Sequence, residues 1–300
     1  MKVCQNISLQ GNHSAKNNYG SCHPFIKWAG GKSRLISQLK NFIPEEFNNY
    51  FEPFVGSGAL FFYLTSSFKT KKNFLLHLSD INSELINVYK TIKDNLKDLI
   101  KELQYNENEY YNDPKKFYYK LRGERFPFDS IKEAARFITL NKTCYNGLYR
   151  VNKNGIFNVP LGSYKKPKIC DTRNLTKVNK IMNLRNTTIE NYDYQKISSK
   201  IKENDFIYLD PPYFPINETS NFTNYTSYGF DIGQQKRLAN FFYDLDKRKC
   251  KILLSNSDTT IIRDLYSSFK ENIISLSALR SINSNAEKRK NHSELIIKNF

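Results

Sequence analysis

An α/β domain built on a mainly parallel sheet, interrupted by a basic insertion, is the fold class this sequence predicts. Three observations predict it. Short apolar strand candidates alternate with helix-patterned segments in both halves of the chain, as a parallel-rich sheet requires. Two of those strands run directly into a glycine turn, Phe54-Val55-Gly56-Ser57-Gly58, and into Asp210-Pro211-Pro212-Tyr213. Between about 90 and 185 the texture changes: Tyr, Lys and Asn dominate and helix patterns are interrupted. That stretch reads as an insertion between two halves of one domain, 24–89 and 186–300.

Along the chain, residues 1–23 form a polar extension with no structural pattern, and order is expected from Pro24. Ser33–Phe42 is helix-like, and Lys32 is expected at its start. Tyr50–Val55 is a strand leading through the glycine turn into an apolar helix, Ala59–Ser66. Phe74–Ser79 is a second strand, closed by Asp80. Ser83–Ile100 reads as one helix, because Leu85, Val88, Ile92, Leu96 and Leu99 recur at helical spacing. Asn141–Pro167 is turn-rich and basic. Strands return at Asp205–Leu209, Lys251–Ser255, Ile273–Leu276 and Leu295–Asn299, with helices at Ile232–Arg248 and Thr259–Phe269. No internal repeat is visible.

The chain has 300 residues, of which 39% are hydrophobic and 14% aromatic, enough to bury a sizeable core. Its formal charge of +17 suits a polyanionic partner, since Lys and Arg that neutralise phosphates release counterions. A Lys-rich proteome produces the same excess, so charge alone decides nothing. The five cysteines are scattered, with no Cys-x-x-Cys pair and no histidine at metal-ligand spacing, so free thiols and no metal are expected. No apolar run approaches the roughly 20 residues of a membrane helix, and the first 23 residues lack a signal-peptide core. A soluble cytoplasmic protein, associated with the nucleoid through DNA and with no membrane partner, is expected.

Asp210-Pro211-Pro212-Tyr213 carries the most chemical information. Ligands of open α/β sheets bind beyond the carboxyl ends of strands, so these residues would face the active crevice. An amino group conjugated with an aromatic ring is a poor nucleophile. Asp210 accepting one of its N–H groups and the Pro211 carbonyl the other would push electron density onto the nitrogen. The prolines fix the turn, and Tyr213 offers a flat face to a base swung out of a duplex. The plainer alternative is a turn that only ends a strand. The glycine turn lets backbone approach a ligand closely, but it is not the full Gly-x-Gly-x-x-Gly of dinucleotide enzymes. Asp80 stands where an acid binds ribose hydroxyls. Lys32 can hold a cofactor's carboxylate, and Trp28 completes the set; as separate features the alternatives are a solvated lysine and a core tryptophan, which is the commoner role of a lone Trp.

In this order the strings resemble the Dam-type (D12 class) DNA adenine-N6 methyltransferases. The matching strings are Phe25–Lys32, Glu52–Gly58, Ser79–Asn82, Asp210–Tyr213 and Leu254–Ser257, with Asn146–Arg150, Phe157–Pro160, Tyr164–Pro167 and Leu279–Asn285 beside them. The resemblance covers roughly 24–300. It implies a Rossmann-like sheet binding S-adenosylmethionine, with an inserted, mainly helical target-recognition domain at 90–185 carrying a β-hairpin. Family cofactor positions fall on Trp28, Lys32, Asp80 and Asp210, with Phe54, Gly56 and Gly58 in the glycine turn. Tyr194 falls where the family has an aromatic against the cofactor's adenine.

The partner it implies is double-stranded DNA, with GATC as target and its adenine methylated. A cognate restriction endonuclease acting on the same site is a possible second partner. In the middle segment, Arg150 can pair with guanine O6 and N7, while Leu148 and Pro160 suit a thymine methyl. Tyr145 can wedge into the base stack as the adenine is extruded. Lys27 and Tyr164 match family positions near the outer guanine, and Asn146 and Asn152 join the expected DNA contacts. Arg280 and Lys288-Arg289-Lys290 are expected on phosphates. The rivals are amino-group transfer to cytosine N4, RNA or a glutamine amide, and a DNA-binding relative that has lost catalysis. Asp210, Tyr213 and Lys32 speak against the last.

Overall fold

The structure, a computed structural model, describes residues 22–28, 30–32, 35–67, 75–184, 186–216, 230–278 and 292–300. Its strands join in one sheet: β1 (Tyr50–Glu52), β2 (Leu75–Asp80), β3 (Asn186–Asn191), β4 (Phe206–Leu209), β5 (Lys251–Ser257), β6 (Ile273–Ala278) and β7 (His292–Lys298). The spatial order is β3-β2-β1-β4-β5-β7-β6. The first five pair in parallel, and β7 runs antiparallel to both β5 and β6. This is the Rossmann-like α/β sheet that the sequence leads one to expect.

Side-chain alternation explains why both faces of the sheet are covered. Along β4, Phe206 and Tyr208 enter one apolar cluster, and Ile207 and Leu209 enter another. Strands β5 and β7 do the same, with Leu253 and Ile296 on the first side and Ile252, Leu254, Leu295 and Ile297 on the second. Successive strand residues point to opposite faces, so a strand apolar at every position needs helices on both. On the first face lie α1 (Ile36–Leu39), α2 (Ala59–Ser67), α3 (Ser83–Asp94) and α4 (Leu96–Asn112). Beyond them α5 (Pro114–Gly123) supplies Tyr118 and Leu121 to a smaller cluster with Phe157 and Val159. The first face is completed by α6 (Ser130–Thr143) and α7 (Thr172–Leu184), and the second is covered by α8 (Ile232–Lys247) and α9 (Thr260–Leu265).

Helix starts follow from side chains that accept the otherwise unpaired first N–H groups. Asn82 caps α3, Asp113 caps α5 ahead of Pro114, and Asp129, Asp231 and Thr259 cap α6, α8 and α9.

Five expectations change. The strand expected over Tyr50–Val55 ends at Glu52, where the chain enters the glycine turn. Ser83–Ile100 is two helices, because Asn95 (φ −130°, ψ 34°) leaves helical geometry between α3 and α4. The helix expected over Ser33–Phe42 is reduced to α1 and a 3-10 turn at Lys40–Phe42; Ser33 and Arg34 lie outside the described residues. Lys32 therefore precedes the helix, its carbonyl accepting the Leu35 N–H at 2.8 Å. The Thr259–Phe269 helix ends at Leu265 and passes into a 3-10 stretch, Ser267–Asn272. An unforeseen strand, β3, forms the sheet edge, and it is polar because only Thr187 and Ile189 are buried.

The segment after α6 carries two isolated antiparallel bridges, Cys144 with Leu161 and Val151 with Phe157. The expected domain limit at 89/90 falls inside α3, and that at 185/186 immediately before β3. Arg280, the Lys288–Lys290 cluster and the extension up to residue 21 lie outside the described residues. Among the described residues no helix is long and apolar enough to cross a membrane, and no His, Cys, Asp and Glu group could hold a metal ion.

Candidate active site

Strands β1 and β4 are neighbours, and the chain leaves them in opposite directions, toward β2 and β3 on one side and β5 on the other. A crevice opens beyond the carboxyl ends of strands at such a switch point. The loops after β1, β2 and β4 lead to it, bringing the glycine turn, Asp80 and Asp210–Phe214 to one edge of the sheet.

Asp210 follows β4 directly. Lys32 Nζ stands 2.8 Å from its Oδ1, 3.9 Å from Glu294 Oε2 on β7 and 4.5 Å from the centre of the Tyr213 ring. The same ammonium donates to the Gly30 carbonyl at 2.8 Å. The lysine expected to hold a cofactor carboxylate thus meets the chain's own carboxylates, and it is only 3% exposed. A cation taken this far from water needs such partners, because its desolvation is costly. Tyr213 Oη donates to Glu294 Oε2 at 2.8 Å. Burial pushes the Asp210 carboxyl up to about 6; Lys32 pulls it down and Glu294 pushes it up.

The turn after Asp210 is tied to the helix and strand behind it. Gln235 Nε2 on α8 donates to the Pro212 carbonyl at 3.1 Å. The Phe214 N–H donates to Asn256 Oδ1 on β5 at 3.1 Å, and Ser257 Oγ donates to the Phe214 carbonyl at 2.7 Å.

The glycine turn requires its glycines. Gly56 has φ +46° and a Cβ there would come within 2.7 Å of the Trp28 ring; Gly58 has φ +67° and a Cβ would meet Tyr89 Oη at 2.7 Å. The Gly56 N–H donates to Asp80 Oδ2 at 3.2 Å and the Asn82 N–H to Oδ1 at 3.0 Å. Burial raises the Asp80 carboxyl to about 6, against the pull of those two N–H groups. Glu52 ends β1 fully inside, accepting from Tyr50 Oη at 2.9 Å. Burial pushes it to about 8, so it carries its proton at neutral pH.

Phe54 packs on Tyr194 with centroids 5.2 Å apart and on Phe230 at 6.0 Å. Tyr194 is 3% exposed, with the Arg237 guanidinium 5.1 Å over its ring and Phe241 at its edge. It therefore supports Phe54 from behind.

Trp28 links this crevice to α6 and the segment after it, stacking on Phe137 of α6 at 6.2 Å and on Tyr149 at 5.6 Å. Asn141 clips the two together: it accepts the Lys27 N–H at 2.8 Å and donates to the carbonyls of Lys27 at 2.7 Å and Gly147 at 3.1 Å. Lys27 Nζ lies 3.8 Å over the Tyr164 ring. Asn146 and Gly147 are both left-handed (φ 54° and 64°), and a Cβ on Gly147 would overlap Lys27. Tyr145 is 46% exposed, and its N–H donates to the carbonyl of the exposed Pro160 at 2.9 Å. Leu148 is half-buried and packs against the cluster that holds Phe157 and Val159. The exposed Arg150 donates through Nε to Asn158 Oδ1 at 2.7 Å and through Nη2 to the Asn158 carbonyl at 3.3 Å. Asn152 Oδ1 accepts from the N–H groups of Asn154 and Ile156 at 2.9 and 3.0 Å, which holds the tip of the turn.

Glu52, Gln235, Asn256 and Glu294 were given no role from sequence. Glu52 and Asn256 stand in strings that carry the resemblance, and an acid ending an apolar strand was a signal available for Glu52. Gln235 and Glu294 had no such signal, because only the folded sheet brings α8 and β7 to the Asp210 turn.

The family described as D12 class N6 adenine-specific DNA methyltransferase matches residues 28–282. The chain is 44% identical, over 92% of its length and 99% of the relative's, to a protein of Methanocaldococcus jannaschii named type II methyltransferase M.MjaIII. It is 37% identical to type II methyltransferase M1.LlaDCHI of Lactococcus lactis subsp. cremoris, over 95% of this chain and 98% of that one. To the DNA adenine methylase of Escherichia coli strain K12 it is 34% identical, over 91% and 93% of the two chains.

Proposed function

The chain belongs to the D12 class of N6 adenine-specific DNA methyltransferases, and from that premise we propose that it methylates the adenine of GATC in duplex DNA, using S-adenosylmethionine. The observation that carries the reading is the position of Asp210 and Pro211 at the end of β4, on the sheet edge that also holds the glycine turn and Asp80.

The residues of the crevice fit this cofactor. Backbone at Gly56 approaches Trp28 with no room for a side chain, and Asp80 ends β2 where ribose hydroxyls are taken in such sheets. Phe54 gives aromatic surface backed by Tyr194, and the carboxyls of Asp80 and Asp210 suit a positively charged sulfonium. Trp28, Lys32, Phe54, Gly56, Gly58, Asp80, Tyr194 and Asp210 would hold it. When bound, S-adenosylmethionine supplies an electrophilic methyl group.

The chain's own part is to orient and activate the amine. Asp210, as carboxylate, accepts one N–H of the target amino group and the Pro211 carbonyl accepts the other. Lys32 keeps Asp210 ionised despite its burial. Pro212 fixes the turn, and Tyr213 stacks on a base extruded from the duplex. Transfer is direct, with no covalent enzyme intermediate.

Residues 90–185 act as the target-recognition domain. Arg150 reads the guanine opposite the final cytosine, Leu148 and Pro160 meet a thymine methyl, and Lys27 and Tyr164 serve the outer guanine. Tyr145 fills the stack where adenine leaves. Asn146, Asn152 and Arg280 fix the register on the backbone. The type II designation of two relatives favours a restriction endonuclease of the same site as partner in the cell.

Sequencing of modified bases in DNA from cells expressing the protein tests the whole reading. N6-methyladenine at GATC is expected. A different motif would remove the recognition assignment, and a different modified base would remove the mechanism.

A further inference from the structure

Tyr213 is held between two peptide planes, each tied to a buried amide. The Pro212 carbonyl belongs to the plane on its N-terminal side and accepts from Gln235 Nε2 at 3.1 Å. The Phe214 N–H belongs to the plane on its C-terminal side and donates to Asn256 Oδ1 at 3.1 Å. The two amides are joined, Asn256 Nδ2 donating to Gln235 Oε1 at 3.0 Å. Both side chains are 0% exposed. The direction of the chain is forced: a carbonyl can only accept, so Gln235 presents its NH2 to Pro212, and backbone N–H groups can only donate, so Asn256 presents its oxygen to Phe214 and Ser257.

Anchoring both planes sets the φ and ψ of Tyr213, and the bond from its hydroxyl to Glu294 fixes the far end of the ring. A buried polar chain whose members bond one another in this way resists rearrangement, because each broken bond would leave a polar group unpaired away from water. We infer that Gln235 is a positioning residue for methyl transfer, aiming Tyr213 at the target base through the Gln235–Asn256 amide chain. This rests on the reading of Tyr213 as the base-stacking ring. The gain is preorganisation: the ring is already placed when the base arrives, and a misplacement of an ångström costs about a hundredfold in rate.

The test compares Gln235→Leu, Gln235→Glu and Tyr213→Ala by single-turnover methyl transfer on a GATC duplex, with S-adenosylmethionine affinity measured separately. Leu can neither donate to Pro212 nor accept from Asn256, so the rate should fall about tenfold to a hundredfold with cofactor affinity unchanged. A protonated Glu can do both, and an ionised one cannot donate. Burial holds a glutamate protonated to higher pH, as it does Glu52, so Gln235→Glu should transfer near the wild-type rate where it is protonated and fall behind wild type as it ionises. Wild-type rates in Gln235→Leu, or a Gln235→Glu as slow as Gln235→Leu at every pH, overturn the inference, including where Gln235→Leu no longer binds S-adenosylmethionine. If Tyr213→Ala transfers at the wild-type rate, it is the reading of the crevice that fails.

Discussion

In the crevice beyond β4, Lys32 is 3% exposed and Gln235 and Asn256 are 0% exposed, whereas in the turn after α6 Tyr145 is 46% exposed and Arg150 lies open. The crevice residues find their partners across the fold, as Lys32 does in Asp210 and Glu294. The exposed polar residues of the turn find them locally, as Arg150 does in Asn158 and Asn152 in Ile156. On the proposed function, the difference follows from two tasks. Stabilising charge as it develops requires groups fixed in advance in a poorly solvated site. Reading a base edge requires donors that water can leave and DNA can satisfy. Substitutions in the crevice should therefore change rate on every sequence, and substitutions in the turn should change the ratio between sequences.

The largest expected effect is at Asp210. Asp210→Ala should lower methyl transfer by about a hundredfold to ten-thousandfold while duplex binding persists, since it removes the proposed acceptor for the target amine. Single-turnover rates and a binding titration check this. Undiminished transfer would remove Asp210 from the chemistry.

A smaller effect is expected at Arg150. Arg150→Ala should lose about 1–3 kcal/mol of discrimination at the final base pair and leave GATC itself well methylated. An arginine on a phosphate would lower all sequences alike.

The smallest effect is a shift in pH dependence. In the proposed mechanism Asp210 acts as the carboxylate, so kcat/KM should rise with pH through about 6. Removing the Lys32 charge raises that carboxyl further, so Lys32→Met should move the acidic limb to higher pH. Stability runs in the opposite sense. A carboxyl raised by burial contributes stability that is present below its unfolded value of about 4 and lost as pH rises through about 6. An acidic limb unmoved by Lys32→Met would assign it to another group, with Asp80 the first alternative.

Much of this architecture was legible in the sequence because it rests on local signals. Strands apolar at every position, such as Phe206–Leu209, announce a sheet covered on both faces, and the strings around Gly56 and Asp210 mark the loops that meet at the switch point. The edge strand Asn186–Asn191 was missed because an edge carries too few buried side chains to show a pattern. The break at Asn95 was missed because the apolar stripe continues from Ile92 to Leu99 across it, so spacing alone cannot show that the axis turns. The pairing of Lys32 with Asp210 and Glu294 is invisible in its neighbourhood in sequence, because the fold brings both carboxylates from far along the chain. Polar groups that work in the interior are recognised by their partners, and those partners exist only after folding.

The division of labour between crevice and turn is tested most directly by single-turnover rates on four duplexes that differ only in the last base pair of GATC. Asp210→Asn should lower all four by one common factor and preserve their ratios. Arg150→Ala should hold the GATC rate near wild type and bring the other three toward it, compressing the ratios by about fivefold or more. The contradicting result is the reverse assignment, with ratios altered by Asp210→Asn and preserved by Arg150→Ala.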